Sequence, residues 1–137
     1  MNKLFTNQVL ITADRATVHA ILADAQQLLT WNPAISSVAG NGHQFRIDRT
    51  TAALNQHELL TITTTPNQVI YDSTGGRLVY QLRFHLTSVT DQTLIEEELW
   101  TADGSHLPLK LLAPIAKQAF AANLNQLRRL IEHRVVS

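Results

Sequence analysis

Apolar positions along this chain switch between a period of two and a period near 3.6, and the switches divide it into elements. Leu4 to Ile11 alternates as a strand, with Phe5, Val9 and Ile11 on one side. Asp14 then stands where a helix N-cap belongs. Val18, Ile21, Leu22, Leu28 and Leu29 follow at helical spacing, which predicts two short helices with a bend near Asp24. Trp31-Asn32-Pro33 ends them, because a residue before proline is pushed out of the helical region. From Ile35 to Ala102 the period is two. Gly40-Asn41-Gly42, Pro66-Asn67, Gly75-Gly76 and Thr90-Asp91 divide that stretch into strands. Phe45 and Ile47 alternate with Gln44, Arg46 and Asp48. The other predicted strands are Gln56–Thr65, Gln68–Thr74, Arg77–Val89 and Gln92–Ala102.

Tight turns fix which residues face one another. A two-residue turn at Pro66-Asn67 sets Ile62 opposite Tyr71 and Leu60 opposite Ser73. One at Gly75-Gly76 sets Tyr71 opposite Tyr80 and Val69 opposite Leu82. A single face then carries Leu60, Ile62, Val69, Tyr71, Leu78, Tyr80, Leu82, Phe84 and Leu86. In the last hairpin, Val89 opposite Leu94 pairs Leu86 with Glu97 and Phe84 with Leu99. His85 then meets Glu98, and Arg83 meets Trp100, on the outer face. A slip by one residue sends Glu96, Glu98 and Trp100 inward instead. The first register is preferred because it buries one carboxylate rather than two.

The C-terminal stretch Leu107–Arg134 reads as a long helix. Pro114 is expected to kink or restart it, leaving a regular part from Pro114 to Arg134. Such a part is about 30 Å long, enough to run across a sheet. Leu112, Ala116, Ala119, Phe120, Asn123, Leu127 and Leu130 fall on one face; Lys117, Ala121, Asn125, Arg128 and Glu132 fall opposite. Asn123 puts an amide in the middle of the apolar face, where a sealed core would take a hydrophobe. That points to a helix closing over a cavity.

The order of elements predicts an α+β fold, a curved antiparallel sheet of about seven strands wrapped around a long C-terminal helix, with two short helices after the first strand. Three stretches carry a resemblance to a known superfamily. They are Ala13-Asp14 through Val18, Leu22, Asp24 and Trp31-Asn32-Pro33 to Ile35 and Val38; the strand ladder with Gly40; and Leu107-Pro108-Leu109 through Leu111-Leu112-Ala113-Pro114 to Leu124, Leu127, Arg128 and Glu132. In these the chain resembles the START-like, or helix-grip, superfamily and its polyketide cyclase/dehydrase-type small proteins, over nearly the whole of residues 1–137. The resemblance implies one domain with a mostly apolar cavity between sheet and terminal helix. Members include binding proteins for hydrophobic ligands, aromatic polyketide cyclases, quinone-handling proteins and stress-related proteins. No catalytic motif of the superfamily carries over.

The side chains expected to meet a ligand are Trp31, Phe45, Ile47, Leu60, Ile62, Tyr71, Tyr80, Leu82, Phe84, Glu97, Leu99, Ala116, Ala119, Phe120, Asn123 and Leu127. Glu97 is the candidate acid or base, since burial among leucines raises a carboxyl pKa. The favoured plainer reading is a register error, or a carboxylate held near the cavity mouth by Arg49 or another cation. Tyr71 and Tyr80 either bond a ligand oxygen or are satisfied by each other or by water. The first reading is therefore a binder of a small hydrophobic or aromatic molecule. The alternative is a cyclase- or dehydratase-like enzyme using Glu97 with a tyrosine, and a third is a partner-binding or oligomeric protein, a homodimer among the options.

Composition narrows the classes. The 137 residues carry 45% hydrophobic and 16% charged side chains, a length that buries about 68% of the unfolded surface. Eleven basic residues balance eleven acidic ones, so no net field draws nucleic acid. Cysteine is absent, which removes thiol chemistry and fits a reducing compartment. No leader-like apolar segment opens the chain and no stretch nears the roughly 20 apolar residues of a membrane span, so a cytoplasmic protein is expected. His57-Glu58-Leu59-Leu60-Thr61 is half of a zinc-protease motif, but it lacks the second histidine and lies in a strand. His19, His43, His57, His85, His106 and His133 show no ligand spacing, so neither metal nor cofactor is expected.

Overall fold

The computed structural model describes residues 1–50 and 54–136. Strand β1 (Asn2–Ile11) leads into α1 (Arg15–Ala23), a 3-10 turn (Ala25–Gln27) and α2 (Leu28–Trp31). Six strands follow: β2 (Ile35–Asn41), β3 (Gln44–Arg49), β4 (His57–Thr65), β5 (Gln68–Thr74), β6 (Tyr80–Val89) and β7 (Gln92–Thr101). Helix α3 (Leu109–Val136) ends the chain. The strands form one antiparallel sheet in the order β1-β7-β6-β5-β4-β3-β2, a meander whose first strand returns beside the last. The expected helix-grip arrangement is present, with α3 and the short helices on the concave face.

Local chemistry explains the short helices. The Asp14 carboxylate accepts the Thr17 backbone N–H at 2.7 Å and caps α1. Asp24 repeats the device for the 3-10 turn, accepting from Gln26 N at 3.1 Å. The bend expected near Asp24 is therefore one helix ending where another cap begins. Val18, Leu22, Leu28 and Trp31 turn inward from this segment, onto Ile47, Leu60, Val69, Phe84 and Ile95 of the sheet.

The β4–β5 register is the expected one, with Ile62 opposite Tyr71 and Leu60 opposite Ser73. The two later hairpins each differ from expectation by two residues, which preserves the facing of every side chain. Tyr71 lies opposite Leu82, and Ser73 opposite Tyr80, because Gly75-Gly76 belongs to a wider loop over residues 75–79. The Asn55 amide fills that loop: it donates to the Leu78 carbonyl at 2.8 Å and accepts the Leu78 N–H at 2.8 Å. Gly76 is required there, since a Cβ would overlap the Asn55 side chain. Leu78 consequently sits in the loop, half-buried against the core, rather than in a strand. In the last hairpin, Thr90 and Asp91 both take positive φ angles, 35° and 60°, and close a tight turn between Val89 and Gln92. Phe84 therefore faces Glu97, and Leu82 faces Leu99. On the outer face Arg83 lies opposite Glu98 in register, and its guanidinium stacks over the Trp100 ring at 4.2 Å.

Pro114 does not interrupt α3, which is one helix from Leu109. Proline removes the N–H that would bond the Lys110 carbonyl, and both residues are exposed, so solvent can serve that carbonyl. The buried stripe is narrower than expected and slightly rotated. Leu124, Leu127 and Ile131 are buried; Ala116, Phe120, Asn123 and Leu130 are half-buried. Ala119 is exposed, because the stripe runs through Phe120, Leu124, Leu127 and Ile131, and a residue 100° away falls outside it.

Candidate functional site

Beneath α3 lies a cavity of about 20 Å³, room for about one water molecule. Nine of the expected ligand-facing residues line it: Trp31, Ile47, Leu60, Tyr71, Tyr80, Leu82, Glu97, Phe120 and Asn123. Phe45, Ile62, Phe84, Leu99 and Leu127 are buried in the core around it, and Ala116 packs against that core from α3. Ala119, expected inside, points to solvent and is not part of the lining. Leu28, Asn32, Ile35, Arg49 and Glu58 complete the wall. Two of these were legible by parity, since Glu58 stands two residues before Leu60 and Arg49 two after Ile47.

A polar network occupies the β3–β5 side of the cavity. Glu58 accepts from Arg49 Nη2 at 2.7 Å and from the Tyr80 hydroxyl at 3.2 Å on Oε1. Its Oε2 accepts from Ser73 Oγ at 2.6 Å and Asn55 Nδ2 at 3.0 Å. Burial pushes the Glu58 pKa up, but the Arg49 charge and the bonds from Ser73, Asn55 and Arg49 outweigh it and hold the carboxyl below its ordinary 4.5. Arg49 is thereby engaged by Glu58 and does not hold Glu97. His57, on the outer face of the same strand, bonds Asp48 at 2.7 Å. Among the described residues no group of His, Asp and Glu is arranged to hold a metal ion.

Glu97 faces inward, as expected, and is 1% exposed. Among the described residues one bond reaches it: Asn7 Nδ2 donates to Oε1 at 3.3 Å. The same amide donates to the Lys117 carbonyl of α3 at 3.0 Å. Asn7 shares the parity of Phe5 and Val9 in β1, so an amide on the inner face was present in the pattern. Glu97 Oε2 has no partner among the described residues. Desolvation pushes the carboxyl up to about 8, against a smaller downward pull from the Asn7 bond. Burial thus favours the protonated acid.

The remaining polar groups divide cleanly. The Tyr71 hydroxyl donates to the Leu22 carbonyl at 2.5 Å, and burial together with the nearby Glu97 raises its pKa far above 10. Tyr80 is held by Glu58 and Arg49, and burial raises its pKa as well. Neither hydroxyl bonds the other. Trp31 is buried, yet its Nε1 has no partner among the described residues. Asn123 is half-buried in the lining and makes no hydrogen bond among them. A second depression of about 630 Å³, bordered by Thr30, Gln126, Arg129, Leu130, Glu132 and His133, is an open surface groove that contains none of these buried groups. Among the described residues no helix is long and apolar enough to cross a membrane.

No protein-family model matches the chain, and no curated protein does. Solved structures do. A START superfamily protein from Mycobacterium smegmatis aligns with a TM-score of 0.69 at 21% identity, covering 96% of this chain and 95% of that one. The di-domain aromatase/cyclase StfQ of the steffimycin biosynthetic pathway aligns with a TM-score of 0.76 at 12% identity, over 97% of this chain and 51% of that one. A polyketide cyclase-like protein from Corynebacterium glutamicum aligns with a TM-score of 0.63 at 14% identity, over 98% and 94% of the two chains. At these identities the likeness is one of fold.

Proposed function

We propose that this chain, a START-like helix-grip fold, binds a small hydrophobic or aromatic molecule in the cavity between the sheet and α3. The observation that carries the reading is the pair of buried polar atoms without partners among the described residues, Trp31 Nε1 and Glu97 Oε2, on two residues lining one cavity. Interiors satisfy the great majority of such atoms, and ligand pockets are apolar spaces with a few convergent polar groups. A ring-sized ligand needs more than about 20 Å³, so entry requires α3 to shift. The first half of the helix is suited to that. No residue from 109 to 123 is fully buried, and Leu111 and Ile115 are 76% and 69% exposed.

The test is thermal stabilisation of the protein by a library of apolar acids, phenols, quinones and lipids. A true ligand at 100 times its Kd adds about 2.7 kcal/mol and raises Tm. Asn123→Trp, which fills the cavity from α3, is expected to abolish the shift. No stabilisation by any apolar class rejects the reading.

The raised Glu97 pKa of about 8 favours one second reading, a cyclase- or dehydratase-like enzyme with Glu97 as general acid. Both tyrosine hydroxyls are engaged elsewhere, so the acid would act without a tyrosine partner. Turnover lost in Glu97→Gln with ligand binding retained supports catalysis; unchanged turnover of an identified substrate rejects it.

A further inference from the structure

We infer that Trp31 and Glu97 form a pair of hydrogen-bond donors that selects an uncharged carbonyl compound over its hydrocarbon or carboxylate counterpart. This rests on the binding reading above and names the chemistry of its ligand. Trp31 offers only an N–H, since indole nitrogen has no acceptor capacity. Asn7 donates to Oε1 of Glu97, which makes Oε1 the carbonyl-type oxygen of the acid. The carboxyl proton then belongs on Oε2, the oxygen with no partner. Both unmatched groups are therefore donors, and they ask for an acceptor.

Apart from the half-buried Asn123 amide of α3, which can donate to the same acceptor, the other polar side chains of the wall are engaged. Tyr71 gives its proton to Leu22, Tyr80 gives its own to Glu58, and Asn32 Oδ1 accepts from the Ala34 N–H. Arg49, the cation in the lining, is bound to Glu58 and the Tyr80 hydroxyl. An anionic ligand would thus meet no unpaired cation among the described lining residues. Phe120, Leu28, Leu60 and Leu82 provide the apolar surface for a ring. A ring ketone or quinone satisfies both halves of this description.

The donor at Glu97 exists while the carboxyl keeps its proton. The titratable groups around it are Tyr71 on β5 and, along the wall, Tyr80 on β6, Glu58 on β4 and Arg49 on β3. The tyrosines stay protonated and the Arg49–Glu58 pair stays charged through the range where Glu97 changes. From β1 it meets the Asn7 amide; from α3 that amide also holds the Lys117 backbone carbonyl, while the Lys117 residue itself is exposed.

Three probes sharing one ring system test the inference: fluorene, 9-fluorenone and fluorene-9-carboxylate, titrated calorimetrically into the full chain. At pH 6.5 fluorenone is expected to bind about tenfold more tightly than fluorene, and the carboxylate most weakly. The ketone's advantage should shrink above pH 8. Trp31→Phe should reduce it at every pH. In Glu97→Gln it should persist without pH dependence, because the amide N–H donates where the acid did. Equal binding of fluorene and fluorenone overturns the donor pair and leaves the binding reading standing. Tightest binding of the carboxylate overturns the selection for an uncharged ligand, and binding of none of the three overturns both readings. Should a variant not fold, the wild-type pH profile still decides, since a ketone advantage constant from pH 6 to 9 contradicts the assignment.

Discussion

Two glutamates point into the same sheet face, both nearly inaccessible, and their pKa values move in opposite directions. Glu58 is 3% exposed and Glu97 is 1% exposed. Four residues donate to Glu58, one of them a guanidinium, and its pKa lies below the ordinary value. Glu97 has one amide, at 3.3 Å, and its pKa rises to about 8. Burial is common to both; the supply of donors decides which carboxyl stays charged. Glu58 ties the 75–79 loop to β3–β6 through Asn55, Ser73, Tyr80 and Arg49. Glu97 retains an oxygen with nothing to bind, the mark of a group available to something from outside.

The largest effect should come from removing the cation. Arg49→Ala strands a buried carboxylate and is expected to cost about 3–5 kcal/mol in urea unfolding. Replacing both members by apolar residues, Arg49→Met with Glu58→Leu, should recover most of that. If Arg49→Ala costs no more than a surface substitution, the contrast between the two glutamates collapses.

The pH dependence of stability should show the contrast as a change of slope. Glu58 has a lowered folded pKa, so its contribution is complete above the unfolded 4.5 and is lost as pH falls through its lower folded value. Glu97 has a raised one, so its contribution is complete below 4.5 and is lost as pH rises through about 8. Wild type is expected to lose on the order of a few kcal/mol between pH 4.5 and 8 from Glu97, and Glu97→Gln should be flat over that window by comparison. Equal slopes in the two proteins would show that Glu97 is not protonated in the fold.

Asn7→Ala removes the donor to Glu97 seen among the described residues and frees the Lys117 carbonyl. A loss of about 1–3 kcal/mol is expected, with a further rise in the Glu97 pKa followed by NMR of its carboxyl carbon. A fall in that pKa would assign Asn7 a different role. The smallest effect belongs to Leu111→Gln on the exposed face of α3, within about 0.5 kcal/mol, measured by the same unfolding experiment.

The sequence patterns reached the architecture and the facing of each strand, and stopped at loop geometry. A hydrophobic alternation fixes which side of a sheet a residue takes, so Glu97, Tyr71 and Tyr80 were expected inside and lie there. It does not fix how many residues a turn spans. Gly75-Gly76 resembles a tight hairpin until Asn55, twenty positions earlier, is seen filling the loop. Arg49 was expected at the cavity mouth beside Glu97 but pairs instead with Glu58, which parity with Leu60 puts inside and which was weighed only as part of a metal motif. Ala119 went the other way: alanine is compatible with either face, and only contact with the sheet and α2 sets the edge of the buried stripe.

Helix α3 carries its attachment to the core in Leu124, Leu127 and Ile131, all in its second half. This gives the fold a capacity for innovation. Exposed residues of the helix's first half, Leu111 and Ile115 among them, can drift in size and polarity at little cost to folding, while Phe120 and Asn123 set the cavity wall. A lineage, or a protein engineer, can thus explore new small molecules at the few α3 positions facing the cavity while Leu124, Leu127 and Ile131 hold the scaffold.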